Sequence, residues 1–236
     1  MIAATYREPM IRRAAAVAAL GLALGGMLAA GSCEPETAKD TSPGALDVKL
    51  IVLDLEAQPS DGKVIVGIQF LSGGSVVDVG SGDIALCDGV TLTRNALLGQ
   101  AYAGRVPLRP AGQSYRFEYK RGSTTTTVDL PAPARPTLTS PAPGSTLART
   151  MPLQVTYPAG GGAAVIVSTS SPAGSNDHGE RPDNGSYGPV DVSAFQAGTG
   201  HVALKRVFRP QLSGTTFRSA VGDLTTMSAR APVTWT

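Results

Sequence analysis

The sequence predicts an all-β fold, two β-sandwiches in tandem behind an N-terminal leader and a flexible tether. Three observations predict it. Short stretches of alternating apolar and polar residues recur from Leu46 to Trp235, each closed by Gly, Pro, Asp or Ser. Three prolines fall within residues 131–136 and divide that series in two. Helical periodicity is almost absent beyond the leader.

Residues 1–32 form the leader. Arg12 and Arg13 precede an uncharged Ala/Gly/Leu run, residues 14–30, diluted by Gly21, Gly25 and Gly26. A membrane-spanning helix wants roughly 20 predominantly apolar residues, and this run is shorter. A basic start, a short apolar centre and small residues before a cut site describe an export signal instead. The segment Ala30-Gly31-Ser32-Cys33 resembles the lipobox of bacterial lipoproteins, although Leu28 sits five residues before the cysteine and Ala30 three before. The resemblance implies cleavage before Cys33, a diacylglyceryl group on its thiol and, usually, an acylated new amino terminus. The residues around Arg12-Arg13 do not match a twin-arginine signal, so general secretion is expected. Each buried methylene contributes about 0.8 kcal/mol and stable anchoring takes at least two chains, which a triacylated cysteine supplies. The expected location is the bacterial cell envelope, on the extracytoplasmic side, with membrane lipid as partner through Cys33.

Removing the leader leaves about 200 residues, enough for one large or two ordinary domains. The chain has 20 Lys and Arg against 18 Asp and Glu, but Arg7, Arg12 and Arg13 against Glu8 belong to the leader. The remainder is balanced in charge, which removes the electrostatic support for nucleic-acid binding. With Cys33 lipidated, Cys87 is the remaining thiol and reads as a small buried hydrophobe in a strand.

Residues 33–45 mix Glu, Thr, Ser, Lys, Asp and Pro with almost nothing apolar and read as the tether. The first sandwich, residues 46–131, is expected to hold strands opening at Val48 and covering residues 64–71, 75–79, 83–93, 101–108, 114–121 and 124–130. About seven strands in about 85 residues has the size and rhythm of an immunoglobulin-like domain. Tyr115, Phe117 and Tyr119 share one face of a strand entered through Pro110-Ala111-Gly112, and a core role is expected for them. Tyr115 resembles the corner tyrosine of immunoglobulin-like and fibronectin-like domains, whose hydroxyl bonds back to the backbone.

Residues 132–136 are the expected linker, stiffened by proline. The second sandwich, residues 137–236, opens with a strand broken by Pro141, Pro143 and Gly144, as in many bacterial immunoglobulin-like modules. Further strands are expected at residues 153–157, 163–168, 190–195, 201–208, 215–221 and 231–235. Gly160-Gly161-Gly162 reads as a turn. Residues 170–188 form the longest insertion, expected as a solvated, mobile loop. Asp177, His178, Glu180 and Asp183 gather there, with Tyr187 as a nearby exposed aromatic, and these five are the candidate ligand-binding residues.

Neither metal nor cofactor is expected. The loop does not place oxygen donors at alternate positions around a required Gly, as a calcium loop does, and one loop histidine is too few for zinc. No Gly-x-Ser-x-Gly elbow and no phosphate-cradling loop is present. Lys205, Arg206 and Arg209 read as a solvated strand face. The expected function is therefore non-enzymatic: a lipid-anchored surface protein that binds a partner or acts as a spacer. A carbohydrate-binding or adhesion module is the alternative, and a small secreted hydrolase with paired carboxylates the third reading.

Overall fold

A computed structural model describes residues 41–54 and 61–236. The leader, Cys33 and most of the tether lie outside the described residues. Within them the protein is all-β: eighteen strands, two short 3-10 turns and no α-helix.

The first half contains β1 (Asp47–Asp54), β2 (Lys63–Ser72), β3 (Ser75–Val77), β4 (Ile84–Cys87), β5 (Val90–Thr91), β6 (Thr93–Asn95), β7 (Ala101–Pro107), β8 (Ser114–Arg121) and β9 (Thr124–Pro131). The second contains β10 (Ser145–Leu147), β11 (Leu153–Thr156), β12 (Ala164–Ser171), β13 (Gly174–Asp177), β14 (Ser186–Val190), β15 (Gly198–Phe208), β16 (Gln211–Leu212), β17 (Ser219–Met227) and β18 (Ala231–Trp235).

Period-2 alternation builds the first core. Val48, Leu50 and Val52 of β1 and Val64, Val66, Ile68 and Phe70 of β2 point inward, with polar or partly exposed residues between them except at the buried Gly67. They meet a four-stranded sheet, β5-β4-β8-β9, whose β8 contributes Tyr115, Phe117 and Tyr119, all buried. Phe70 and Tyr119 pack with ring centroids 4.9 Å apart, in the range where aromatic pairs add to burial. The Arg109 N–H donates to Tyr115 Oη at 3.2 Å, so this tyrosine bonds back to backbone six residues upstream, as its position predicts. Cys87 is fully buried beside these rings, and burial raises its thiol pKa.

The segment expected as one strand at 83–93 is three: β4, β5 and β6. Asp88 and Gly89 both adopt positive φ, 49° and 78°, the left-handed pair that a tight Asp-Gly hairpin demands. That turn folds β5 back on β4, through Leu86↔Thr91 and Cys87↔Val90.

The second core joins β12, β15 and β18 of the large sheet to a two-stranded sheet, β11-β14. Val165, Val167, Val202 and Leu204 meet Val155 and Tyr187, while Trp235 lies edge-on to Phe195 at 4.9 Å. The strand expected at 190–195 lies earlier, at Ser186–Val190; Val192 and Phe195 reach the same core from a turn.

One twelve-stranded sheet runs through both halves in the order β10-β18-β15-β17-β1-β2-β7-β6, with β12, β13, β16 and β3 paired off that path. Its joint is the parallel pairing of β1 with β17, from Asp47↔Ser219 to Asp54↔Thr226. Phe217, Ala220 and Leu224, placed by sequence in the second module, pack in the first core. A β1 without β17 would present an apolar strand edge, a liability that pairing removes. The proline segment is also tied down. Ala132 is buried in the first core, and Arg135 donates Nε to Asp54 Oδ2 at 2.7 Å and Nη2 to Oδ1 at 2.6 Å.

Candidate functional site

The stretch expected to be a mobile loop is mostly ordered by pairing. Residues 170–177 complete a hairpin, β12 with β13, in register from Ser168↔Asp177 to Ser171↔Gly174. Gly174 has φ 143°, which an L side chain rarely adopts, and this allows the reversal. Beyond it, Arg181 exchanges both backbone hydrogen bonds with Val165. The polar composition reflects exposure of a short edge strand, since all four residues of β13 face solvent.

Four of the five candidate residues meet at one place. Asp177, His178, Glu180 and Tyr187 line an open groove of about 490 Å3, together with Arg181 and Asp191. Asp183 does not face it. Tyr187, expected to be exposed, is 2 % exposed and belongs to the second core; its hydroxyl donates to the Gly179 carbonyl. Arg181 lies over its ring, 4.6 Å from the centroid, and donates Nη1 to the Gly188 carbonyl at 2.5 Å. The tyrosine is therefore a floor covered by a guanidinium rather than a platform for a sugar.

The three loop acids and the three cations expected as a solvated basic face are partners. Lys205 Nζ donates to Asp177 Oδ2 at 2.5 Å, and Ser168 Oγ donates to Oδ1 at 2.5 Å. Burial alone would raise the Asp177 pKa; the hydrogen bonds from Lys205 and Ser168 outweigh it and hold the carboxyl below its ordinary value. Glu180 accepts a two-pronged bond from Arg209, at 2.6 and 3.1 Å, at the surface. Arg206 and Asp183 are buried, with side chains only 6 % and 1 % exposed and Nε 2.8 Å from Oδ2. This corrects the reading of Arg206 as a solvated face: β15 is buried on both faces over most of residues 202–207, and Arg206 shares a face with Leu204.

Gly160-Gly161-Gly162 is what admits the buried pair. Asp183 Oδ2 accepts the N–H groups of Gly160 at 3.2 Å and Gly162 at 2.9 Å, while Arg206 Nη2 donates to the Pro158 carbonyl at 2.6 Å. A Cβ at Gly160 or Gly162 would fall 2.3 or 2.6 Å from the Arg206 side chain. At these two positions a side chain fits only if Arg206 shifts. A buried ion pair persists when its donors and acceptors are satisfied. The surrounding chain supplies partners for Arg206 Nη2 and Asp183 Oδ2, while Arg206 Nε lies close to Asp183 Oδ2 without making a hydrogen bond.

His178 donates its backbone N–H to the Val167 carbonyl, and its Nε2 lies 2.9 Å from Thr169 Oγ1. Burial, aided by Arg181, lowers its pKa against the pull of Asp177. Sequence spacing did not reveal a second contact of this kind. Ser170 and His201 are register partners, with Oγ 2.6 Å from Nδ1. Ser170 Oγ also accepts the His201 N–H at 3.0 Å, and its carbonyl accepts the Trp235 indole N–H at 2.7 Å. The hydroxyl is thus committed within the ladder, stapling β12 to β15 and β18.

A second, apolar cleft of about 270 Å3 lies between Val52, Leu108, Pro110 and Pro133, with Arg109 and Arg135 at its edge. Arg109 is engaged by Asp88 at 3.0 Å, as Arg135 is by Asp54. No group of three or more His, Cys, Asp or Glu among the described residues is placed to hold a metal ion. No protein-family model matches the chain, and no curated protein matches it.

Proposed function

We propose that the chain is a bacterial lipoprotein, held on the extracytoplasmic side of the membrane through an acylated Cys33. Its immunoglobulin-like β-sandwich body presents a stiff, charge-paired surface to a protein partner or holds that surface away from the bilayer. One observation carries the reading: a basic start, a short apolar run and Ala30-Gly31-Ser32-Cys33 stand immediately before a polar stretch. The body begins where such an anchor needs it to. Among the described residues the body first takes hold of the chain at Thr41, and the residues between Cys33 and Thr41 give a reach of roughly 27 Å when extended at about 3.3–3.6 Å per residue. The corner bond at Tyr115 and two sheets closing on alternating residues favour the immunoglobulin-like description.

A binding role is favoured over a catalytic one because two of the three groove acids are occupied by cations. Asp177 and Glu180 each hold a cation, and neither is poised as a free acid or base. A sugar-binding role loses its stacking residue with Tyr187 buried. The anchor is tested by metabolic labelling with a fatty-acid analogue in the producing bacterium. Label is expected on the wild-type chain and absent from Cys33→Ala; equal label in both rejects the anchor.

A further inference from the structure

The two ends of the folded body lie at opposite ends of one sheet. Asp54, Thr226, Arg206 and Val165 share a single cross-sheet row, because each is the register partner of the next. Asp47 lies seven positions to one side of that row. Asp177, opposite Ser168, lies three positions to the other side, and Trp235, opposite Gly198, lies eight. At about 3.3 Å per residue the start of β1 is roughly 33 Å from the groove and roughly 50 Å from Trp235, measured along the strands. Strand β18 runs antiparallel to β15 and so points the same way as β1.

Pulling the chain before Asp47 against either far feature therefore slides β1 lengthwise between its neighbours. Eight register pairs join it to β17 and seven join it to β2. The antiparallel bonds to β2 stand perpendicular to the strands and the parallel bonds to β17 are slanted but evenly spaced, so a lengthwise pull loads both ladders along their whole length. A pull across the strands at one end would open them one after another.

The start of β1 is further clipped. Arg218 forks onto Asp47, with Nε 2.8 Å from Oδ1, and Ser219 Oγ donates to the same oxygen at 2.8 Å. The Arg218 N–H donates to the carbonyl of Leu46, which is fully buried, and Arg121 Nη1 reaches the Thr41 carbonyl at 2.6 Å.

We propose that β1 is a tension-resisting attachment strand, through which the body withstands pulling between its tether and whatever grips the far end. The proposal rests on the anchored reading for the source of the tension, and lipid labelling tests that separately. The mechanical property itself is tested by single-molecule pulling on the full mature chain, made without its leader so that the Cys33 thiol takes one handle. Buried Cys87 is shielded from the same coupling. The second handle goes on Thr236→Cys, for a lengthwise pull, or on exposed Ser75→Cys, just past the end of β2 that faces Asp47. Strand β18 is held by five pairs to β15 and three to β10, so it gives way before β1. The rupture that frees β1, told apart by the length of chain it releases, is expected at a force several times higher for the Thr236→Cys pair and is lowered by Arg218→Ala. Equal forces in the two geometries, or a weaker lengthwise pull, would overturn the proposal.

Discussion

The two cores are closed by opposite chemistry. In the first, a four-stranded sheet brings Tyr115, Phe117 and Tyr119 down on β1 and β2. In the second, the facing sheet has two short strands, and the remaining cover is irregular chain held by an arginine and an aspartate. Regular pairing satisfies its own backbone groups, so apolar side chains suffice above it. Irregular chain over a core leaves N–H and C=O groups needing partners, and Arg206 and Asp183 provide them for Pro158, Gly160 and Gly162. Where a core runs short of covering strands, a charged pair can take over the work of a ladder.

The comparison is sharpest at Arg206. Arg206→Ala strands a buried carboxylate, and breaking such a pair costs about 3–5 kcal/mol, as much as Phe117→Ala should cost in the other core. Urea denaturation of both variants checks this, with Glu180→Ala as contrast. That exposed pair joins the same loop to the chain just beyond β15, and surface pairs contribute at most about 1 kcal/mol. A loss for Arg206→Ala no larger than for Glu180→Ala would show that apolar packing closes both cores alike.

A smaller effect is expected from Gly162→Ala, where the new methyl meets the Arg206 stem. Overpacking of this kind costs roughly 1–3 kcal/mol, read as a lowered denaturation midpoint. Alanine at Gly179, with open space around its Cβ position, should leave the midpoint nearly unchanged.

The smallest effect concerns acid. Hydrogen bonds from Arg218 and Ser219 lower the Asp47 pKa from 3.8 to about 2. A carboxyl depressed in the folded state adds stability above its unfolded pKa and loses it as pH falls through the folded value. That contribution should fade between pH 4 and 2, and the pH slope of stability in that window should be shallower in Asp47→Asn. An unchanged slope would mean that the clip is solvated in solution.

Local pattern was legible and distant pairing was not. The inward face of β8 followed from residues two apart, and Cys87 from its apolar strand. The split of residues 83–93 was written in Asp88-Gly89, a hairpin signal inside an otherwise continuous run. The fate of residues 177–183 was not readable, because Glu180 and Asp183 carry the same chemistry and end in opposite surroundings. What separates them is a glycine run twenty residues upstream and a buried face of a strand twenty residues downstream. The role of β17 was hidden for the same reason, since its partner β1 lies some 170 residues away, the separation of the Arg218–Asp47 bond.

That separation bears on how the polypeptide is made. Among the described strands the first, β1, waits for β17 before its second flank is filled, and long-range pairing of this sort slows folding. Nascent chains ending short of residue 219 would carry a hydrophobic ribbon with one side open, a target for chaperones and proteases. Such a polypeptide keeps its first sheet open at one flank until β17 has been made.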